Sequence, residues 1–114
     1  MLLAEKGAKI FIENPEAHLH PGAQLRLADF MMRQSKEQDL QLFVETHSDH
    51  IINGLRIAIV GGVLEKADAR ILYFSRQGIG DTNVCQIKVD SKGNLSDYPD
   101  GFMDEWGIQM SKLV

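Results

Sequence analysis

The apolar positions of the chain fall into alternating strand-like and helix-like patterns. Residues 8–13, Ala8-Lys9-Ile10-Phe11-Ile12-Glu13, form a short β-rich run that stops at Asn14-Pro15, where proline holds its predecessor extended and cannot continue a central ladder. The segment Ala23 to Lys36 places Leu25, Ala28 and Met32, with Leu27 and Met31 beside them, at helical spacing. Pro21 suits the first turn of that helix, where a missing N–H costs nothing. A second apolar run, Leu40 to Val44, predicts a buried strand ending in Glu45-Thr46-His47-Ser48. Ser48 reads as the N-cap of a helix over about 49–60, with Asp49 at its positive end and Gly61-Gly62 as its stop.

Further on, Arg70 to Ser75 predicts a third strand and Val84 to Val89 a fourth, in which Cys85, Ile87 and Val89 alternate with Val84, Gln86 and Lys88. With Gly78-Ile79-Gly80-Asp81 between them, the two read as a hairpin. Asp90-Ser91-Lys92-Gly93-Asn94 is turn chemistry, and the tail from Tyr98 to Trp106 is aromatic without periodicity. The expected fold class is α/β: a partial parallel sheet in the order strand-helix-strand-helix-strand, with an antiparallel C-terminal hairpin. Ligands in such sheets bind at the carboxyl ends of the strands. Both polar clusters of the chain, Glu13-Asn14-Pro15-Glu16 and Glu45-Thr46-His47, fall on that edge.

Composition narrows the picture. At 114 residues, 44% hydrophobic and 25% charged, the chain fits ordinary globular composition and at most one domain. The formal net charge of −4 excludes a bulk electrostatic mode of nucleic-acid binding, which needs a surplus of Lys and Arg. The longest apolar stretch, Ile57 to Leu64, holds two glycines and is far short of the roughly 20 residues that span a bilayer. Glu5 interrupts any signal-like run and Cys85 has no disulfide partner, so a cytoplasmic protein is expected.

A carboxylate at the end of a buried strand needs a cationic partner, a helix N-terminus or a metal ion. Glu13 and Glu16 read equally well as solvated turn residues beside a proline, and Thr46-His47 as a helix-capping turn. The pairing of the two clusters is what carries information. Lys9-Ile10-Phe11-Ile12-Glu13-Asn14-Pro15-Glu16-Ala17-His18-Leu19-His20-Pro21 resembles the Walker B segment and following D-loop region of ABC-type ATPases of the RecF/SMC-like and OLD-like groups, within the AAA family, commonly written hydrophobic-D-E-P-E-x-H-L-H-P. Val44-Glu45-Thr46-His47-Ser48 resembles their switch-histidine loop, one helix and one strand later. The resemblance spans roughly residues 8–56. Tyr98-Pro99-Asp100-Gly101-Phe102-Met103-Asp104 extends it toward a subgroup of predicted ATPases that end in a small domain of unknown function.

The resemblance implies that Glu13 orients a magnesium ion through water, a task open to glutamate because magnesium takes oxygen ligands and keeps several waters. It puts Asn14 at the position of the glutamate that polarises the attacking water. An amide orients water but cannot accept its proton, so hydrolysis is slow, Glu16 substitutes as base, or positioning suffices. His47, with Thr46 beside it, would contact the γ-phosphate, and His18 and His20 fall in the D-loop region. No G-x-x-x-x-G-K-S/T run occurs in the 114 residues, nor an ABC signature segment. The expectation is therefore the C-terminal half of an ATPase domain over residues 1–76 and a small extension over 77–114. Mg²⁺ and ATP would be cofactors of the complete protein, neither binding tightly to this chain alone. A missing N-terminal half or partner chain would complete the site, with homo-oligomerisation expected, no membrane partner, and nucleic acid engaged only through the whole assembly.

Two other classes remain open at this stage. His18-x-His20 and Thr46-His47-Ser48-Asp49-His50 superficially resemble the H-x-H-x-D-H ligand run of metallo-β-lactamase-like enzymes, although that run is contiguous and here His20 meets Pro21-Gly22. A non-catalytic, oligomerising interaction module is the other, since strand edges left open favour self-association.

Overall fold

A computed structural model describes residues 5–76, 78, 80–99 and 102. Its elements run β1 (Lys9–Glu13), α1 (Pro21–Glu37), β2 (Gln41–Glu45), α2 (Asp49–Val60), a 3-10 turn (Lys66–Asp68), β3 (Ile71–Arg76) and β4 (Thr82–Ile87). This is the order that the hydrophobic pattern predicts, with some element ends displaced by a residue or two. The chain divides into two compact units, Met1–Glu65 and Lys66–Val114.

In the first unit β1 and β2 pair in parallel, in register from Lys9↔Gln41 to Glu13↔Glu45, and α1 is the crossover between them. The inward-facing Ile12, Leu42 and Val44, together with Leu27, pack against a buried cluster of Ala28, Met31 and Ile51 contributed by α1 and α2. Gly54 brings the two helices together: a Cβ built there would lie 2.4 Å from the Cβ of Ala28. Both helices end in Schellman turns. After α1, Asp39 adopts φ 52° while Leu40 N–H donates to Ser35 O at 2.8 Å, and after α2, Gly62 adopts φ 79° while Val63 N–H donates to Ala58 O at 2.9 Å. The Gly61-Gly62 stop thus has a backbone cause.

The parallel pair departs from the expected buried strands on its outer face. Both strands alternate exposed and half-buried positions, and Phe11 is 77% exposed, stacked on the 41% exposed Phe43 with ring centroids 4.6 Å apart. Parallel strands ordinarily have both faces covered, but α1 and α2 line only one face of this pair.

In the second unit β3 pairs antiparallel with β4, from Ile71↔Ile87 to Arg76↔Thr82. Gly78 and Gly80, both at positive φ, lie in the loop that joins the two strands, where only glycine adopts such angles without strain. The alternation expected of the fourth strand is present: Ile87 and Val89 are buried and Cys85 half-buried, while Val84, Gln86 and Lys88 are exposed. The Asp90 turn closes through its own carboxylate, whose Oδ1 accepts from Lys92 N–H and Asn94 N–H at 2.9 Å each. These contacts, the Asn94 N–H foremost, hold the exposed Asp90 carboxyl below its ordinary value. Phe102 is buried edge-on against Tyr73, with centroids 5.3 Å apart. Of the Tyr98–Asp104 segment, Asp100, Gly101, Met103 and Asp104 lie outside the described residues, as does Ile79 of the glycine loop.

Candidate functional site

Because β1 and β2 run parallel, their last residues and the loops that follow share one edge. Glu13 and Glu45 stand in register as the final residues of the two strands, both exposed. Two like charges opposite each other repel, so this position favours a cation between or beside them. The ladder continues one residue further, since Asn14 N–H donates to Glu45 O at 2.7 Å. Asn14 itself sits at φ 47°, a left-handed conformation that asparagine tolerates far better than glutamate does. The turn is closed by Ala17 N–H donating to Asn14 O at 3.1 Å and Leu19 N–H donating to Glu16 O at 3.0 Å.

Glu16 joins the two loops. Its Oε1 accepts from the Thr46 hydroxyl at 2.7 Å and from the His47 N–H at 3.1 Å, across 30 and 31 residues of sequence. The Thr46 hydroxyl oxygen accepts in turn from Ser48 N–H at 3.0 Å. Desolvation pushes the Glu16 carboxyl up, but its own backbone N–H, the Thr46 hydroxyl, the His47 N–H and attraction to the His47 ring outweigh it and hold the carboxyl below its ordinary value.

A depressed carboxylate contributes stability that is present above its unfolded pKa and is lost as pH falls through its folded pKa. Wild type is therefore expected to lead Glu16→Gln in denaturant midpoint at neutral pH, and to lose that lead in acid below the ordinary carboxylate value. Parallel unfolding curves at stepped pH check this, and a pH-independent difference would contradict it.

A second contact set runs alongside. Gln24 on α1 donates from Nε2 to Leu19 O at 2.8 Å, and its Oε1 accepts from the hydroxyl of Ser48. Ser48, buried, caps α2 by accepting from His50 N–H at 3.2 Å and Ile51 N–H at 3.3 Å, as the sequence predicts. Gln24 was not legible: a glutamine on a helix surface reads as solvated, and no local pattern ties it to a serine 24 residues away. His20 has a defined job as the N-cap of α1, its Nδ1 accepting from Ala23 N–H at 3.2 Å. His18 is exposed in the turn at φ 66°.

The structure thus brings Glu16, Thr46 and His47 into contact and ties the Asn14 backbone to the end of β2. Glu13 lies at the same edge without a hydrogen bond to that group. Among the described residues no group of three or more His, Cys, Asp or Glu side chains converges on a metal position, so the H-x-H-x-D-H alternative finds no ligand cluster there. Among the described residues two buried oxygens lack a donor, Asn14 Oδ1 and Glu16 Oε2. No helix among the described residues is long and apolar enough to cross a membrane.

Residues 4–52 match the AAA ATPase domain family, and residues 64–113 match a family described as protein of unknown function (DUF3696). No curated protein and no solved structure shows significant similarity to the chain. The matched stretch of the first unit contains β1, α1, β2 and the whole Glu16-Thr46-His47 contact. The first segment thus resembles the AAA ATPase domain family, and the second a family whose function is not known.

Proposed function

We propose that the first unit supplies the hydrolytic half of a composite ATP–Mg²⁺ site of the ABC type, akin to the RecF/SMC-like and OLD-like ATPases, and that another polypeptide segment supplies the phosphate-gripping half. The observation that carries this reading is the convergence of the two strand-end clusters on one edge, with Glu16 bonded to the Thr46-His47 turn. The match of residues 4–52 to an ATPase domain supports it, as does the lack of a phosphate-loop motif anywhere in the 114 residues.

The donor set at the edge fits magnesium. Glu13 would hold the ion through carboxylate oxygen or water, and Glu45 stands beside it in register. These are hard oxygen ligands in the small number that magnesium takes from protein when waters and phosphate oxygens complete its shell. When bound, the ion would neutralise charge on the β- and γ-phosphates. Asn14 would orient the attacking water by accepting from it. His47, exposed at the tip of its turn, would donate to the γ-phosphate, with Thr46 fixing the turn.

The test is reconstitution. The chain alone is expected to show negligible ATP binding by calorimetry. Adding an N-terminal ATPase segment that carries a Walker A loop is expected to restore hydrolysis, which Glu13→Ala or His47→Ala then lowers by about 10²-fold or more. Unimpaired turnover in both variants would overturn the site assignment. A second reading, an oligomerising interaction module, draws on the exposed Phe11–Phe43 stack. Self-association that Phe11→Ser abolishes, without any restored hydrolysis, would favour it.

A further inference from the structure

Glu16 entered as a candidate general base, but its surroundings suit a different task. One of its oxygens is fully engaged, accepting two bonds from the β2–α2 turn at 2.7 and 3.1 Å. A base needs a free lone pair aimed at the water it deprotonates, and a carboxylate already stabilised by several donors is a weaker one. The other oxygen, Oε2, accepts from no donor among the described residues but is buried from solvent, so its free lone pairs do not face bulk water. A bond between a hydroxyl and a carboxylate, reinforced by a backbone N–H to the same oxygen, instead specifies where the turn sits.

We propose that Glu16 is a positioning residue that holds the Thr46-His47 turn at the end of β2, so that the His47 ring is presented at the strand-end edge in one orientation. This rests on the composite ATPase reading for its catalytic consequence, but its structural content belongs to the chain alone. The contact is long-range: it ties the loop after β1 to the loop after β2, the two loops that the parallel pairing brings to one edge. Thr46 is the hinge of the device, since its hydroxyl donates to Glu16 while accepting from Ser48 N–H at 3.0 Å. Ser48 is in turn seated by Gln24 and caps α2. The rigid helix start therefore anchors one side of the turn and Glu16 the other. His47 lies between the two anchors.

Positioning and base catalysis make opposite demands on one substitution. Glutamine keeps an Oε1 acceptor for Thr46 and His47 but cannot take a proton; alanine removes both capacities. Two measurements follow. On the chain itself, amide hydrogen exchange is expected to find the His47 N–H protected in wild type, nearly as well protected in Glu16→Gln, and exposed in Glu16→Ala and less so in Thr46→Val. Equal His47 exchange in wild type and Glu16→Ala, with both folded by circular dichroism, would overturn the proposal.

In the reconstituted ATPase, Glu16→Ala is expected to lower kcat by roughly 10²-fold, in line with a misplaced catalytic group, with KM little changed. Glu16→Gln should stay within about threefold of wild type. Thr46→Val should lower kcat in the same direction, and the double variant Glu16→Ala with Thr46→Val should fall by less than the product of the two single effects, because both remove the Glu16–Thr46 bond. Glu16→Gln as inactive as Glu16→Ala would instead assign Glu16 as the base and overturn positioning. A reconstituted wild type without hydrolysis would count against the composite site but not against the clamp, which the exchange experiment decides by itself. Should Glu16→Ala fail to fold, Thr46→Val carries both measurements.

Discussion

Gly54→Ala is expected to destabilise the first unit despite replacing glycine with the best helix former. In an open helix interior that exchange stabilises by about 1 kcal/mol. Here the added Cβ would stand 2.4 Å from the Cβ of Ala28, closer than carbon atoms approach, so α1 and α2 must separate or shift. Ala28 has no flexible side-chain end that could swing aside. Ala28 is fully buried and belongs to the cluster with Met31 and Ile51, so a shift at this contact opens the core beneath the parallel strands. Overpacking of this kind costs about 1–3 kcal/mol, enough to exceed the propensity gain. Denaturant unfolding of wild type, Gly54→Ala and the double variant Gly54→Ala with Ala28→Gly checks it. The second substitution restores the room and should recover part of the loss, although it introduces a glycine into α1. A Gly54→Ala chain more stable than wild type would mean that the helices lie farther apart than described.

Met31→Ala is expected to cost more, about 2–5 kcal/mol, because it removes a long side chain from a site that cannot collapse around the gap. Met31 is 1% exposed, and its cluster underlies Ile12, Leu42 and Val44, the inward residues of β1 and β2. The cavity would therefore open beneath the strands whose ends carry Glu13, Glu45 and the two loops. Amide exchange should accelerate in β1 and β2 as well as in α1, while Met31→Leu, which nearly conserves volume, should cost less than about 1.5 kcal/mol. Equal midpoints for Met31→Ala and wild type in urea would contradict this account of the core.

These two sites also show why some of the fold was legible and some was not. Met31 lies beside the stripe of Leu25, Ala28 and Met32 that the helical spacing marks, so its side of the helix was legible, although Leu25 proves exposed and Met31 buried. Gly54, inside an otherwise apolar helix, carries no local signal of its purpose; only the crossing with Ala28 explains it. The same contrast holds at the edge of the sheet. The order strand, turn, helix, strand, turn, helix placed both polar clusters at strand ends, because turn residues and helical periods are local. It did not say that Glu16, rather than Glu13, reaches the second cluster, since that depends on how the Asn14 turn aims the chain. Nor did it reveal the exposed Phe11–Phe43 stack: short apolar runs read as buried on both faces when the number of covering layers is unknown.

By itself the sequence determined the elements, their order, the caps at Ser48 and Gly62, the turn at Asp90, and a pair of motifs whose spacing resembles an ATPase. Each of these depends on neighbours within a few residues, where periodicity and backbone preference act. Tertiary structure alone decided the register that sets Glu13 beside Glu45, the Glu16 contact to Thr46 and His47, and the seating of Ser48 by Gln24. Those contacts span 24 to 32 residues, and their partners are chosen by the parallel pairing and by the packing of α1 on α2. No local propensity encodes that choice.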